Sequence, residues 1–337
     1  MEIKKNIYTK KIFVAHLFVF FILNFNVSSA VFANEVKNVL VISIDALHPK
    51  ALNPKKSNNL QQLMEQGVYT LDGFSTNPPL TLVSHAAMFS GIGPEKGGRQ
   101  DNAWHPGQPG IKGETIFNIA KSQGYSTGFF YSKEKLGFLA NQAVDQQKLD
   151  KDFSVENAIA FFKTSDQKSF SFLHISGLDR TGPIEGWLSP GYMEELFFID
   201  ESIAPLIEMV KSKGSYLIIV TSDHAGHGTI HGSNHPDDAK LPLIMVSDVI
   251  NLTKYQGIKY HVTQLKPILE SILQKKNNQI EMIGRASKRL CFPFSSELYV
   301  ILLHRFRDHI PDVHQDFHIQ NFSAGCLHVP EFSRCHF

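Results

Sequence analysis

"SYLIIVTSDHAGHGTIHGSNHP", residues 215–236, joins two kinds of chemistry. Its first part is an uncharged run of aliphatic and β-branched residues, the composition of a strand buried on both faces. Its second part starts at Asp223-His224 and carries His224, His227, His231 and His235 among glycines. Two adjacent ligand-type side chains leaving a buried strand suit a divalent metal ion. The glycine-rich context lets the backbone turn His231 back toward the same pair.

Similar apolar runs recur. "NVLVISI" (38–44), "YSTGFFYS" (125–132), "FSFLHIS" (170–176) and "LPLIMVS" (241–247) read as further strands. Between them lie helical patterns at 58–67, 82–91, 114–124, 191–214 and 262–273, several closed by a glycine. This alternation predicts an α/β fold: a three-layer sandwich with a mostly parallel central sheet and helices on both faces. In such sheets ligands gather beyond the carboxyl ends of the strands. Asp45, Asp179 and Asp223 each fall at or just past such an end. Three carboxylates at one sheet edge repel unless a cation lies between them.

The 337 residues are 42% hydrophobic and 19% charged with a net charge of +1, ordinary globular values. That balance gives no electrostatic reason to expect a nucleic-acid duplex as partner. Lys4, Lys5, Lys10 and Lys11 precede an apolar stretch at 12–23 and small residues near Ala30 and Ala33. Residues 1–33 therefore read as a signal peptide, with a retained anchor as the rival reading. The expected product is exported, periplasmic or secreted, with no membrane span after cleavage. The main domain is expected over 34–276. Residues 277–337 hold all three cysteines and no sustained period, and read as an atypical C-terminal segment, disordered or a non-native continuation. The body thus has no thiol for a metal site or for catalysis.

Single residues are ambiguous. An aspartate ending a strand is commonly a turn or cap residue, so Asp45 alone says little. Thr81 precedes a helical pattern, where threonine usually serves as N-cap. The same geometry is an anion site, with backbone N–H groups facing a phosphate or sulfate. A threonine hydroxyl becomes a useful nucleophile when a metal ion sits on its oxygen.

Five ordered segments resemble the signatures of the alkaline phosphatase superfamily, in its type I phosphodiesterase/nucleotide pyrophosphatase branch. They are "VLVISIDALHP" (39–49), "PPLTLVSHAAMFSGI" (78–92), "DNAW" (101–104), "LDRTGPIEGWLSPGY" (178–192) and "VTSDHAGHGTIHGSNHPDD" (220–238). The resemblance implies a phosphoric ester hydrolase with two divalent metals, most simply zinc. It implies that Asp45, Asp223 and His224 hold one ion, which also touches Thr81, and that Asp179 and His231 hold the other. It assigns Thr81 as a nucleophile that forms a covalent phospho-enzyme, and Asn102 as a donor to a phosphoryl oxygen. His227 and His235 are read as groups at the substrate rim.

One position departs. The family pattern Asp-x-x-Gly-His reads "DRTGP" here, so Pro183 replaces the histidine of the second metal. That site is expected to be weak or empty unless Glu185, His174 or His227 substitutes. A catalytically impaired relative that binds a phosphorylated ligand is the alternative. A sulfatase expects Cys or Ser at Thr81 within C/S-x-P-x-R, and "CFPFS" (291–295) lacks the arginine. A phosphoethanolamine transferase shares the threonine but normally carries several membrane spans, and a phosphoglycerate mutase is not exported. No Lys or Arg lies within ten residues of Thr81, which favours diesters or pyrophosphates over monoesters, an argument that Lys96 and Arg99 weaken.

Overall fold

Successive residues along a strand face opposite sides of the sheet, and that alternation builds the layers. In the computed structural model, which describes residues 35–53, 57–165 and 168–274, strand β1 (Asn38–Ile44) is buried along its whole length. Val39 and Val41 point into one hydrophobic core, and Leu40, Ile42 and Ile44 into another on the opposite face. The signal-peptide reading at 1–33 and the C-terminal segment at 277–337 lie outside the described residues.

Seven more strands complete one sheet: β2 (Val68–Phe74), β3 (Ser126–Tyr131), β4 (Gln146–Leu149), β5 (Ser169–Ile175), β6 (Tyr216–Thr221), β7 (Lys240–Ser247) and β8 (Tyr260–His261). Their order is β4-β3-β5-β1-β6-β7-β2-β8. The first five run parallel, while β7 is antiparallel to both β6 and β2. The sheet is therefore mixed, with a parallel half.

The helices divide between the faces. Helices α2 (Thr81–Ser90), α3 (Ile116–Ser122) and α7 (Leu265–Leu273) supply the core that contains Val39 and Val41. Helices α1 (Asn58–Gln66), α4 (Ser154–Thr164), α5 (Gly177–Glu185) and α6 (Pro190–Ser212) supply the other. The result is the expected three-layer sandwich. The α2 side is rich in phenylalanine: Phe89 meets Phe172 at 4.7 Å and Phe117 at 5.4 Å, ring to ring and close to edge-on. Such pairs contribute about 0.5–1.5 kcal/mol each beyond their buried area.

The parallel half places the site. Neighbouring strands in the order β3-β5-β1-β6 all end at one edge, so whatever follows each strand lies in a row. From β3 come Ser132 and Lys133, from β5 His174 and Asp179, from β1 Asp45, and from β6 Asp223 and His224. Gly91, left-handed at φ 74°, closes α2.

Candidate metal centre and active site

Asp45, Asp223, His224 and Thr81 converge. Asp45, Asp223 and His224 are completely buried, and Thr81 is 2% exposed. His224 Nε2 lies 3.3 Å from Asp45 Oδ1, 3.6 Å from Asp223 Oδ2 and 3.5 Å from Thr81 Oγ1. Tetrahedral zinc with bonds of about 2.0–2.2 Å spaces its ligand atoms about 3.3–3.6 Å apart. The distances from His224 Nε2 therefore suit a divalent ion, and the donor types suit its chemistry.

The hydrogen bonds leave those atoms free for an ion. Asp45 Oδ1, Asp179 Oδ1 and Asp223 Oδ2 are buried and unpartnered, three of six such side-chain atoms among the described residues. Buried carboxylate oxygens without donors are costly, and a bound cation removes the cost. His224 Nδ1 lies 2.9 Å from the Ala225 carbonyl, to which it donates. Its Nε2 lone pair is thereby oriented toward the carboxylates.

Neighbouring residues fix each candidate ligand. His174 Nε2 donates to Asp45 Oδ2 at 2.9 Å, and its Nδ1 lies 3.0 Å from Ser132 Oγ. The Ala46 N–H donates to Asp223 Oδ1 at 3.2 Å. Ala46 has a left-handed backbone at φ 64°, uncommon for a residue with a side chain, and its carbonyl accepts from Tyr192 Oη at 2.7 Å. His85, one helical turn after Thr81, donates from Nδ1 to the Thr81 carbonyl at 2.8 Å and sits 3.4 Å from Asp223 Oδ2.

Thr81 is not the N-cap that its sequence position suggests. Leu80 takes that place and offers no side-chain cap, while Thr81 is the first helical residue. Its hydroxyl is directed at the site. Asn102 Oδ1 accepts from the Leu82 N–H at 2.8 Å and from Lys135 Nζ at 3.1 Å. That commits its carbonyl oxygen and leaves the amide nitrogen as the donor, close to the start of α2.

Asp179 and His231 form the second side of the site. His231 Nε2 lies 3.6 Å from Asp179 Oδ1, and its ring stacks parallel on His224 at 4.9 Å. Gly232, left-handed at φ 75°, packs so tightly on Leu80 that a Cβ would lie 2.6 Å from Leu80 Cδ2. This close approach seats the histidine loop on the start of α2. Side-chain exposure rises from 0% at Asp45 to 14% at Asp179 and 29% at His231, so the site opens on this side. His227 and His235 form a separate group: their rings stack at 3.8 Å, and His227 Nδ1 lies 2.6 Å from buried Asp238.

Two lysines were not legible in the local sequence. Lys133 Nζ lies 2.6 Å from Asp45 Oδ2, 2.5 Å from Asp179 Oδ2 and 3.3 Å from Thr81 Oγ1. Lys135 reaches Asn102 from the same turn. Lys133 thus brings to Thr81 a cation that its sequence neighbourhood lacks, which removes the mild preference for diesters and pyrophosphates.

The charges act on one another. Burial by itself would raise the Asp45 pKa, but Lys133 and the imidazoles of His174 and His224 outweigh it and hold the carboxyl well below its usual range. Burial raises Asp179, and the neighbouring Asp45 raises it further. Burial drives His174 down to about 4, so its ring is neutral. For His224 burial acts downward, yet Asp223, Asp45 and Asp179 bring it up to about 9.

The sequence profile described as type I phosphodiesterase / nucleotide pyrophosphatase matches residues 39–243, more than half of the 337. The chain belongs to this family. Human GPI ethanolamine phosphate transferase 1 is 27% identical over 173 residues, which are 47% of this chain and 17% of that protein. The Aspergillus fumigatus protein of that name is 31% identical over 97 residues, 28% of this chain and 9% of its own length. The chain thus spans a small part of the curated relatives it matches.

Solved structures share the fold of this family member. The C-terminal periplasmic domain of phosphoethanolamine transferase EptC from Campylobacter jejuni superposes with a TM-score of 0.55 at 15% identity, covering 72% of this chain and 90% of that one. A putative sulfatase from Bacteroides thetaiotaomicron gives 0.57 at 14% identity over 71% of each chain. The Escherichia coli EptC domain in complex with Zn gives 0.55 at 11% identity, covering 71% of this chain and 82% of that one. Among the described residues no helix is long and apolar enough to cross a membrane.

Proposed function

We propose that this chain is an exported, divalent-metal-dependent phosphoric ester hydrolase with Thr81 as nucleophile. One observation carries the reading. Three buried carboxylate oxygens without hydrogen-bond partners face His224 Nε2, and the hydroxyl of Thr81 stands 3.5 Å from that nitrogen.

Asp45, Asp223 and His224 are the residues that would hold the ion. Bound there, a divalent ion supplies Lewis acidity that lowers the pKa of a coordinated hydroxyl. Thr81 Oγ1 gives up its proton to solvent and forms the new bond to phosphorus as the bond to the leaving oxygen breaks, and the leaving oxygen takes up a proton from solvent. The amide nitrogen of Asn102 and the Lys135 ammonium stand beside the first turn of α2. Together with its N–H groups they oppose the charge on the non-bridging oxygens. His174 and Ala46 keep Asp45 and Asp223 oriented throughout. Water then attacks phosphorus and releases Thr81 with its proton restored, giving a phosphate monoester from a diester or inorganic phosphate from a monoester.

The relatives' names favour a second reading in which an alcohol, in place of water, accepts the phosphoryl group. The test compares p-nitrophenyl phosphodiesters and monoesters with and without added alcohol acceptors, with metal quantified in the same samples. Turnover that requires metal and is abolished by Thr81→Ala supports the proposal. Absence of turnover on every ester, with metal bound, favours the impaired relative that only binds a phosphorylated ligand.

A further inference from the structure

A second ion needs its own ligands, and the residues present do not form such a set. Asp179 and His231 face each other, but the remaining position is Pro183, inside α5, which offers no donor atom. The candidate substitutes are engaged elsewhere. His174 has its ring nitrogens on Asp45 and Ser132, and His227 is held by Asp238. Glu185 packs over the start of α6, where a Cβ on Gly191 would lie 2.9 Å from its Cγ. The third ligand-type group near Asp179 and His231 is His224. Its Nε2 also faces Asp45 and Asp223, and one lone pair serves one ion.

The place beside Asp179 is taken by Lys133. Its ammonium bridges Oδ2 of Asp45 and Oδ2 of Asp179 and reaches Thr81 Oγ1 at 3.3 Å. The Oδ1 atoms of the same two carboxylates are the unpartnered ones that face His224. Each carboxylate thus spans two cationic positions, one for an ion and one filled by the amine. The formal charges agree: Asp45, Asp179 and Asp223 carry three negative charges, which one divalent ion and one ammonium balance. Two divalent ions in addition to Lys133 would leave a buried surplus of positive charge, which is costly.

Resting on the phosphoryl-transfer reading, we propose that Lys133 replaces the second divalent cation of the site. One metal ion is held by Asp45, Asp223 and His224, and one fixed ammonium by Asp45, Asp179 and Thr81. Lys133 is then a catalytic residue in contact with the nucleophile, and it offers a charge to the phosphoryl oxygens. An ammonium attracts those oxygens as a metal does, but it does not coordinate water. It therefore assists formation of the phospho-threonine more than its breakdown.

The test counts ions on the intact chain. Zinc titration by calorimetry, with elemental analysis after gel filtration, is expected to find one ion per wild-type chain. The double variant Lys133→Ala/Pro183→His, which frees Asp179 Oδ2 and restores a ligand, is expected to hold two. Lys133→Ala alone is expected to keep one ion and to lose about 100-fold in turnover of a nitrophenyl phosphodiester, with partial recovery in Lys133→Arg. Two ions on the wild-type chain would overturn the proposal, and so would wild-type turnover by Lys133→Ala. Lack of turnover by every form would count against the phosphoryl-transfer reading instead, and the wild-type ion count would still decide this one.

Discussion

His174 donates from Nε2 to Asp45 Oδ2 at 2.9 Å, across the pairing of the two central strands β5 and β1. One carboxylate oxygen is thereby fixed and the other is presented to the cation position. Outer-shell partners of this kind typically contribute about 10–100-fold to metal affinity. His174→Gln is therefore expected to weaken zinc binding by that factor in a competition titration with a chelator. An unchanged affinity would remove His174 from the site's design.

His224 links metal binding to pH. In the folded chain its pKa is raised to about 9, against an ordinary value of 6.5, because burial is outweighed by Asp223, Asp45 and Asp179. A raised value means that the folded, metal-free protein holds this proton through neutral pH. An ion that takes Nε2 must displace it, so affinity should rise about tenfold per pH unit between roughly pH 7 and 8.5. Calorimetry in two buffers of different ionisation enthalpy is expected to show release of about one proton per ion at pH 7.5. Binding without proton release would contradict the assignment.

Thr81 is the nucleophile of the proposed reaction, and its removal should be severe. Thr81→Ala is expected to lose at least about 1,000-fold in turnover while retaining most of its metal affinity, and Thr81→Ser to retain part of the rate. Intact-mass spectrometry after rapid acid quench is expected to show one phosphoryl group on the wild type and none on the alanine variant.

Much of this was readable from the chain because β1, β5 and β6 are largely apolar runs that end in polar, ligand-type residues. Strand β4 was not, since "QQKL" is polar and exposed along its length. Helix α5 was hidden by its glycines and Pro183, which ordinarily argue against a helix. In β2 the Asp72-Gly73 pair interrupts the apolar pattern at a register shift. Asp45, Asp179, Asp223 and His224 stood out by residue type and strand-end position, and His231 by the glycine-rich stretch around it. Lys133 did not: it is 52 residues from Thr81, and only the strand order brings them together. His85 carried a usable signal, one helical turn from Thr81, but a histidine on an apolar helix reads first as core.

An aromatic layer packs beneath α2, the helix that carries Thr81. Phe89 is fully buried and touches the rings of Phe117, Phe129 and Phe172. Phe89→Ala is expected to lower stability by about 3–5 kcal/mol in urea unfolding of the metal-loaded protein. A loss below about 1 kcal/mol would show that this layer collapses around the cavity at little cost.

The most direct measurement is a zinc titration of the wild-type chain beside Asp45→Asn and His224→Ala. The account predicts tight binding by the wild type and at least about 100-fold weaker binding by each variant. Unchanged affinity in both variants, with the ion retained by His227, His235 and Asp238, would contradict it.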